Sequence, residues 1–158
     1  MEKIASFQVD HLRLLPGLYV SRKDKFGATV LTTFDLRFKQ PNQEPVIDVP
    51  ALHTIEHLGA TFLRSHPEWG KRIVYFGPMG CRTGCYLILE GDIDSAGALP
   101  LVREMLDWMI SFEGAIPGAA PGECGNYSEQ NLNIAKWEAK HYAAVLKNPG
   151  AEHLNYPA

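Results

Sequence analysis

The sequence predicts an α+β protein, with a largely antiparallel sheet of about four strands packed against three or four helices. Three observations carry that prediction. Residues 25–41, KFGATVLTTFDLRFKQP, alternate apolar and polar positions at a period of two. Three longer stretches repeat apolar residues at helical spacing. Strand-like and helix-like stretches do not alternate strictly, which argues against a parallel βαβ arrangement.

In chain order, residues 18–22 are the first expected strand, paired with the next across a turn near 24–27. That second strand places Val30, Thr32, Phe34, Leu36 and Phe38 on one face and Asp35 and Arg37 on the other. A helix over 50–65 follows, with Pro50 suited to its first turn. Residues 71–76 and 85–90 read as two more strands. A helix over 95–112 carries the apolar stripe Leu99, Val102, Leu106, Met109 and Ile110. The last helix, over 129–146, repeats Leu132, Ala135, Ala139, Tyr142 and Leu146, with Ser128 as its expected N-cap. Between these two helices lies a Gly/Pro-rich loop, EGAIPGAAPGECGNY. Trp108, Trp137 and Tyr142 fall at packing spacings and are expected in the core, whereas His66, His141 and His153 lack motif support and are expected to be structural.

The 158 residues suit a single domain spanning 1–158. A net charge of −3 and a pI near 6.0 argue against a basic nucleic-acid-binding face. No apolar run approaches the ~20 residues of a membrane span. The opening MEKIASFQVDHLRLLPG interrupts each apolar group with a charge, unlike a signal peptide, so a cytoplasmic location is expected. Three cysteines, an odd number, do not make a disulfide framework, and Cys81, Cys85 and Cys124 are expected as thiols.

The chemistry concentrates in HTIEHL, residues 53–58. On a helix, His53 and His57 are four apart and share a face with Glu56. Two imidazoles so placed reach one metal ion, and a neighbouring carboxylate can move protons on a group bound to it. The bland counterpart is a surface helix with two titrating histidines and an unrelated glutamate. Cys124, on the glycine-rich loop, is the best third ligand. A His/His/Cys set admits zinc, cobalt or ferrous iron. A second constellation, GPMGCRTGCY, puts Cys81 in a glycine-flanked turn that leaves a thiol exposed to a substrate. Strand alternation places Cys85 on the face of Cys81, although packing as a small buried hydrophobe suits it better. The CxxxC spacing without a second pair gives a zinc ribbon or a redox pair little support.

Six segments in order, SFQVDH (6–11), DLRFKQPN (35–42), HTIEHL (53–58), RSH (64–66), PMGCRTG (78–84) and ECGNY (123–127), resemble the S-ribosylhomocysteine lyase family, which makes the precursor of autoinducer-2, the quorum-sensing signal. The resemblance implies cleavage of S-ribosylhomocysteine to homocysteine and 4,5-dihydroxy-2,3-pentanedione through two carbonyl migrations and a β-elimination. It implies His53, His57 and Cys124 as ligands of ferrous iron, with Glu56 and Cys81 as the acid/base pair. It also implies Ser6, His11, Arg37 and Arg64 as substrate-binding positions, and a homodimer with its active sites at the subunit interface. Taken singly, Arg37 and Arg64 are expected as solvated charges and His11 as a loop histidine. One departure stands out: where the family reads D-x-S-P-M-G-C, this chain has Tyr75 and Gly77 in place of the Asp and Ser. Two alternatives remain, an inverzincin-like metallopeptidase suggested by H-x-x-E-H and a weakened homologue that binds metal or ligand without turnover.

Overall fold

A computed structural model describes residues 2–158. Its sheet has four antiparallel strands, β1 (Gly17–Phe26), β2 (Thr29–Arg37), β3 (Ile73–Pro78) and β4 (Gly84–Glu90), in the order β1-β2-β4-β3. The helices are a four-residue α1 (Ala5–Gln8), α2 (Val49–Ser65), α3 (Ser95–Ser111) and α4 (Leu132–Val145). The α+β expectation holds.

Period-two alternation gives the sheet two unlike faces. Leu18, Phe34, Leu36, Phe76, Cys85, Leu87 and Leu89 point inward into one apolar core with Ile55 and Leu58 of α2 and Val102 and Leu106 of α3. Leu87 has no exposed surface; truncating such a residue to alanine costs about 2–5 kcal/mol. The outer face carries Tyr19, Asp35, Arg37, Tyr75 and Tyr86, with Thr33 and Ile88, and among the described residues no long helix covers it.

Several local expectations are corrected. The β1–β2 turn lies at 26–29, not 24–27, because Gly27 (φ 62°) takes the left-handed conformation the reversal needs. Helix α4 starts at Leu132 and its N-cap is Asn131, whose side chain accepts a 3.1 Å hydrogen bond from the Ile134 N–H; Ser128 does not cap it. The segment before it is committed elsewhere, since the Glu129 carbonyl meets His53 and the Asn131 N–H donates to Thr54 Oγ1. Trp137 is not core: Ala135, Glu138, Ala139 and Tyr142 form the buried side of α4, while Trp137 is 49% exposed and packs on His141 beneath Lys39. Trp108 is half-buried and Tyr142 fully buried, as expected. Arg37 is not a solvated charge: it is 3% exposed and paired with Asp35, itself 1% exposed.

The C-terminal segment explains that burial. The Tyr156 ring stacks on Tyr19, with centroids 4.9 Å apart, and its hydroxyl donates to Asp35 Oδ2 at 2.8 Å. The segment is fastened by Arg13 Nη1, which donates to the Ala158 carbonyl at 2.6 Å, and by a 2.6 Å contact between His153 Nδ1 and the Pro16 carbonyl. An outward-facing ion pair is thereby removed from water without a second layer of helices.

Candidate active site

Helix α2 begins at an Asp48 N-cap with Pro50 in its first turn, which sets its register and puts His53, Glu56 and His57 along one side. The two rings are oriented through their outer nitrogens. His53 Nδ1 lies 2.8 Å from the Glu129 carbonyl and His57 Nδ1 2.7 Å from the Pro117 carbonyl. A carbonyl only accepts, so each Nδ1 carries the proton and each Nε2 presents a lone pair. These lone pairs converge: the two Nε2 atoms are 3.0 Å apart, and Cys124 Sγ is 3.4 Å from His53 Nε2. All three ligand atoms lie within 4.8 Å of one another. A tetrahedral ion with ordinary bond lengths spaces its donors by roughly 3.3 Å between nitrogens and 3.6 Å between nitrogen and sulfur. The donor set and its spacing fit one divalent ion.

The glycine-rich loop closes on α2 through two small devices. Gly118 has φ 70°, and a Cβ there would stand 3.1 Å from His57 Nδ1, so the bare backbone brings the Pro117 carbonyl within reach. Thr54 Oγ1 donates to Gln130 Oε1 at 2.7 Å and accepts from the Asn131 N–H at 2.9 Å, tying the far end of the loop to the same helix. Sequence reasoning missed Thr54. Its position between the two histidines was the available signal.

Cys81 occupies a separate place. The turn from Met79 to Arg82 is closed by a 3.0 Å hydrogen bond from the Arg82 N–H to the Met79 carbonyl, with Arg82 in a left-handed conformation (φ 59°). The turn breaks strand alternation, so Cys85 faces the core whereas Cys81 is exposed beside the outer face; the shared face expected for them is not formed. Burial pushes the Cys85 thiol up, helped by Glu56 and Asp35, and it stays protonated. Cys81 behaves oppositely. Burial raises its thiol, but hydrogen bonds with Thr83 and the Arg37 guanidinium outweigh that and hold it below the ordinary thiol range. Cys81 Sγ is 3.1 Å from Thr83 Oγ1 and 3.9 Å from Arg37 Nη1. The cation is therefore Arg37; Arg82 turns its guanidinium to the Ile47 carbonyl.

The other sequence candidates divide between these places. Ser6 lines a cleft of about 220 Å³ on the outer face with Ser21, Thr33, Tyr75 and Tyr86. Arg64 is exposed, as expected of a helix charge, and donates to the Val74 carbonyl. His11 is a half-buried loop residue held by the Val9 carbonyl. Glu56 is half-buried, and among the described residues no hydrogen bond joins it to Cys81. His66, His141 and His153 take structural partners: Glu104 and two backbone N–H groups, the Trp137 carbonyl, and the Pro16 carbonyl. Tyr75 and Gly77 form one unit, because the Tyr75 ring folds back over Gly77 and its hydroxyl fills the space where a Cβ at 77 would stand.

Fold and site together define a class: an α+β protein in which two histidines of a core helix and a loop cysteine could hold a metal ion and, apart from them, Thr83 and a buried arginine hold a thiol below the ordinary range. Comparison with known proteins names it more closely. The family model described as S-ribosylhomocysteinase (LuxS) matches residues 4–152. The chain is 57% identical to the S-ribosylhomocysteine lyase of Clostridium acetobutylicum over 157 residues, covering 99% of both chains. It is 52% identical over 158 residues to that of Phocaeicola vulgatus, covering 99% of this chain and 98% of the relative. With the lyase of Borreliella burgdorferi it shares 52% over 157 residues, covering 99% and 100%. The chain belongs to the S-ribosylhomocysteinase family.

Proposed function

We propose that the chain is a metal-dependent carbon–sulfur lyase that converts S-ribosyl-L-homocysteine into L-homocysteine and 4,5-dihydroxy-2,3-pentanedione. The observation that carries this reading is the convergence of two oriented imidazoles and Cys124 on one point, in a chain whose full-length relatives bear the lyase name. His53, His57 and Cys124 would hold the ion, ferrous iron in this reading with zinc or cobalt compatible, and the chemistry it would supply is Lewis-acid polarisation of the sugar carbonyl. Cys81 and Glu56 move the protons. Each carbonyl migration removes one hydrogen beside a C=O and returns one at the neighbouring carbon, which calls for two acid/base groups. Cys81 is suited to the first task because Thr83 and Arg37 favour its thiolate. The final β-elimination expels the homocysteine sulfur, and a proton held on either group can be delivered to it. Ser6, His11, Arg37 and Arg64 are the substrate-binding positions of this reading; the exposed Arg64 is the one placed to clamp a carboxylate by two hydrogen bonds, since Asp35 and Thr83 hold the Arg37 guanidinium.

The active assembly in this reading is a homodimer with sites at the subunit interface. Support comes from the exposed apolar side chains Phe7 (70%) and Leu12 (74%) and from an outer sheet face with no helical layer. It also comes from the separation, in one chain, of Cys81 from the face that carries Glu56. We place the single-domain protein in the cytoplasm, where its three unpaired thiols stay reduced. Among the described residues no helix is long and apolar enough to cross a membrane.

The decisive assay measures homocysteine thiol release from S-ribosylhomocysteine by anaerobically purified, iron-loaded protein, beside casein digestion. Thiol release without proteolysis is the expected result. Proteolysis alone would favour the peptidase, although the cluster here takes a thiolate and no carboxylate as its third donor. Neither activity would favour a homologue that only binds.

A further inference from the structure

The Cys81 turn is joined to the C-terminal end of the chain by an unbroken run of contacts. Tyr156 Oη donates to Asp35 Oδ2 at 2.8 Å. Asp35 takes Arg37 in a two-point grip, Nη2 to Oδ2 at 2.6 Å and Nε to Oδ1 at 3.0 Å. That grip uses one edge of the guanidinium and leaves Nη1 pointing the other way, where it donates to Thr83 Oγ1 at 2.7 Å. Having accepted from Arg37, the Thr83 hydroxyl keeps its own proton for Cys81 Sγ, 3.1 Å away.

We propose that Tyr156 is a positioning residue for the reactive thiol, acting through Asp35 to aim the Arg37 guanidinium at Thr83 and Cys81. The role assigned to Cys81 is that of the lyase reading above.

Geometry and charge each leave the relay little freedom. Asp35 and Arg37 are both nearly inaccessible to water, so no solvent molecule can readily replace a lost partner. Burial and the adjacent Asp35 push the Tyr156 hydroxyl up, out of the working pH range, and it remains a donor throughout. Tyr19 holds the Tyr156 ring flat by stacking, so the hydroxyl has one direction in which to point. Among the described residues, the titratable and charged groups tied to Cys81 directly are Arg37 of β2 and Tyr86 of β4, and Asp35, Tyr156 and Arg22 of β1 are tied to one or the other of these two. Of the cations, Arg22 is engaged with Asp24, and Arg82, next to Cys81 in the chain, turns to the Ile47 carbonyl, which leaves Arg37.

Two opposing effects make the sign informative. As a bare charge, Asp35 offsets Arg37, so removing it would strengthen the pull on the thiolate. As an aiming device it does the reverse, because an arginine without its two-point partner swings away and the thiol reverts toward ordinary acidity. The test is the pH dependence of iodoacetamide alkylation at Cys81 in the metal-replete protein, located by peptide mass spectrometry so that Cys85 and Cys124 do not contribute. Tyr156→Phe keeps the stacking ring and is expected to slow alkylation at pH 7 about threefold. Asp35→Asn is expected to slow it about tenfold, and the profile of each variant should move to higher pH. Wild-type alkylation in Tyr156→Phe would overturn the proposal, as would faster alkylation in Asp35→Asn. Slowed alkylation in both supports the relay even if the wild-type protein releases no homocysteine, a result that would count against the lyase reading alone.

Discussion

Single atoms decide whether the three donors can grip an ion. His53 and His57 would bind one through Nε2 because two carbonyls from the loop claim Nδ1, so the donors would act as a set rather than one by one. Cys81→Ala is expected to retain the ion and lose turnover by about 10²-fold or more. His57→Ala and Cys124→Ala should each lose both. Metal analysis beside thiol release checks this, and a metal-free Cys81→Ala protein would contradict the assignment. The grouping of His53, His57 and Cys124 and the exposure of Cys81 were legible in the sequence because each sits in a short motif whose chemistry is local. The cation beside Cys81 was not legible. Arg82 adjoins Cys81 in the chain but turns to Ile47, while Arg37 arrives from a strand 44 residues away.

At the scale of elements, β3 carries the clearest coupling. Tyr75 and Gly77 share the outer side of one strand, and the ring of the first needs the missing side chain of the second. Gly77→Ser alone is expected to displace Tyr75 and reduce kcat/KM several-fold. Tyr75→Asp with Gly77→Ser together should recover most of that loss, because the bulk that conflicts is gone. Strictly additive kinetics across the two sites would show that they are independent. Periodicity located α2 and α3 to within a residue, since a long apolar stripe on one side leaves few alternative registers. It placed the start of α4 three residues early. Residues 129–131 are polar enough to begin a helix, but their backbone is spent on His53 and Thr54, partners 76 and 77 residues distant. A pattern read along the chain carries no trace of such demands. Trp137 failed for a related reason: its spacing fits the helix, yet its direction falls beside the core.

For the whole molecule, the sheet separates two clusters, with the three possible metal donors on the helix side and the Cys81 thiol beside Thr83 and Arg37 on the open side. Antiparallel pairing and the inward apolar set were legible because alternation specifies a face. The burial of Asp35 and Arg37 was not, because a residue 121 positions away supplies the cover. Sedimentation equilibrium of the metal-replete protein should return twice the chain mass. A monomer with full turnover would mean that one chain can bring Cys81 and Glu56 to the same sugar.

The fastening of both imidazoles by loop carbonyls has a practical consequence. The stretch between α3 and α4 contains no lysine or arginine but offers Glu113, Glu123 and Glu129 to a glutamate-specific protease. Chelating an ion held there would leave three electron-rich atoms crowded together, a conflict that releasing the stretch would relieve. Stripped protein should therefore be nicked after Glu123 at least tenfold faster than loaded protein, giving a gel-based reading of occupancy that needs neither substrate nor turnover.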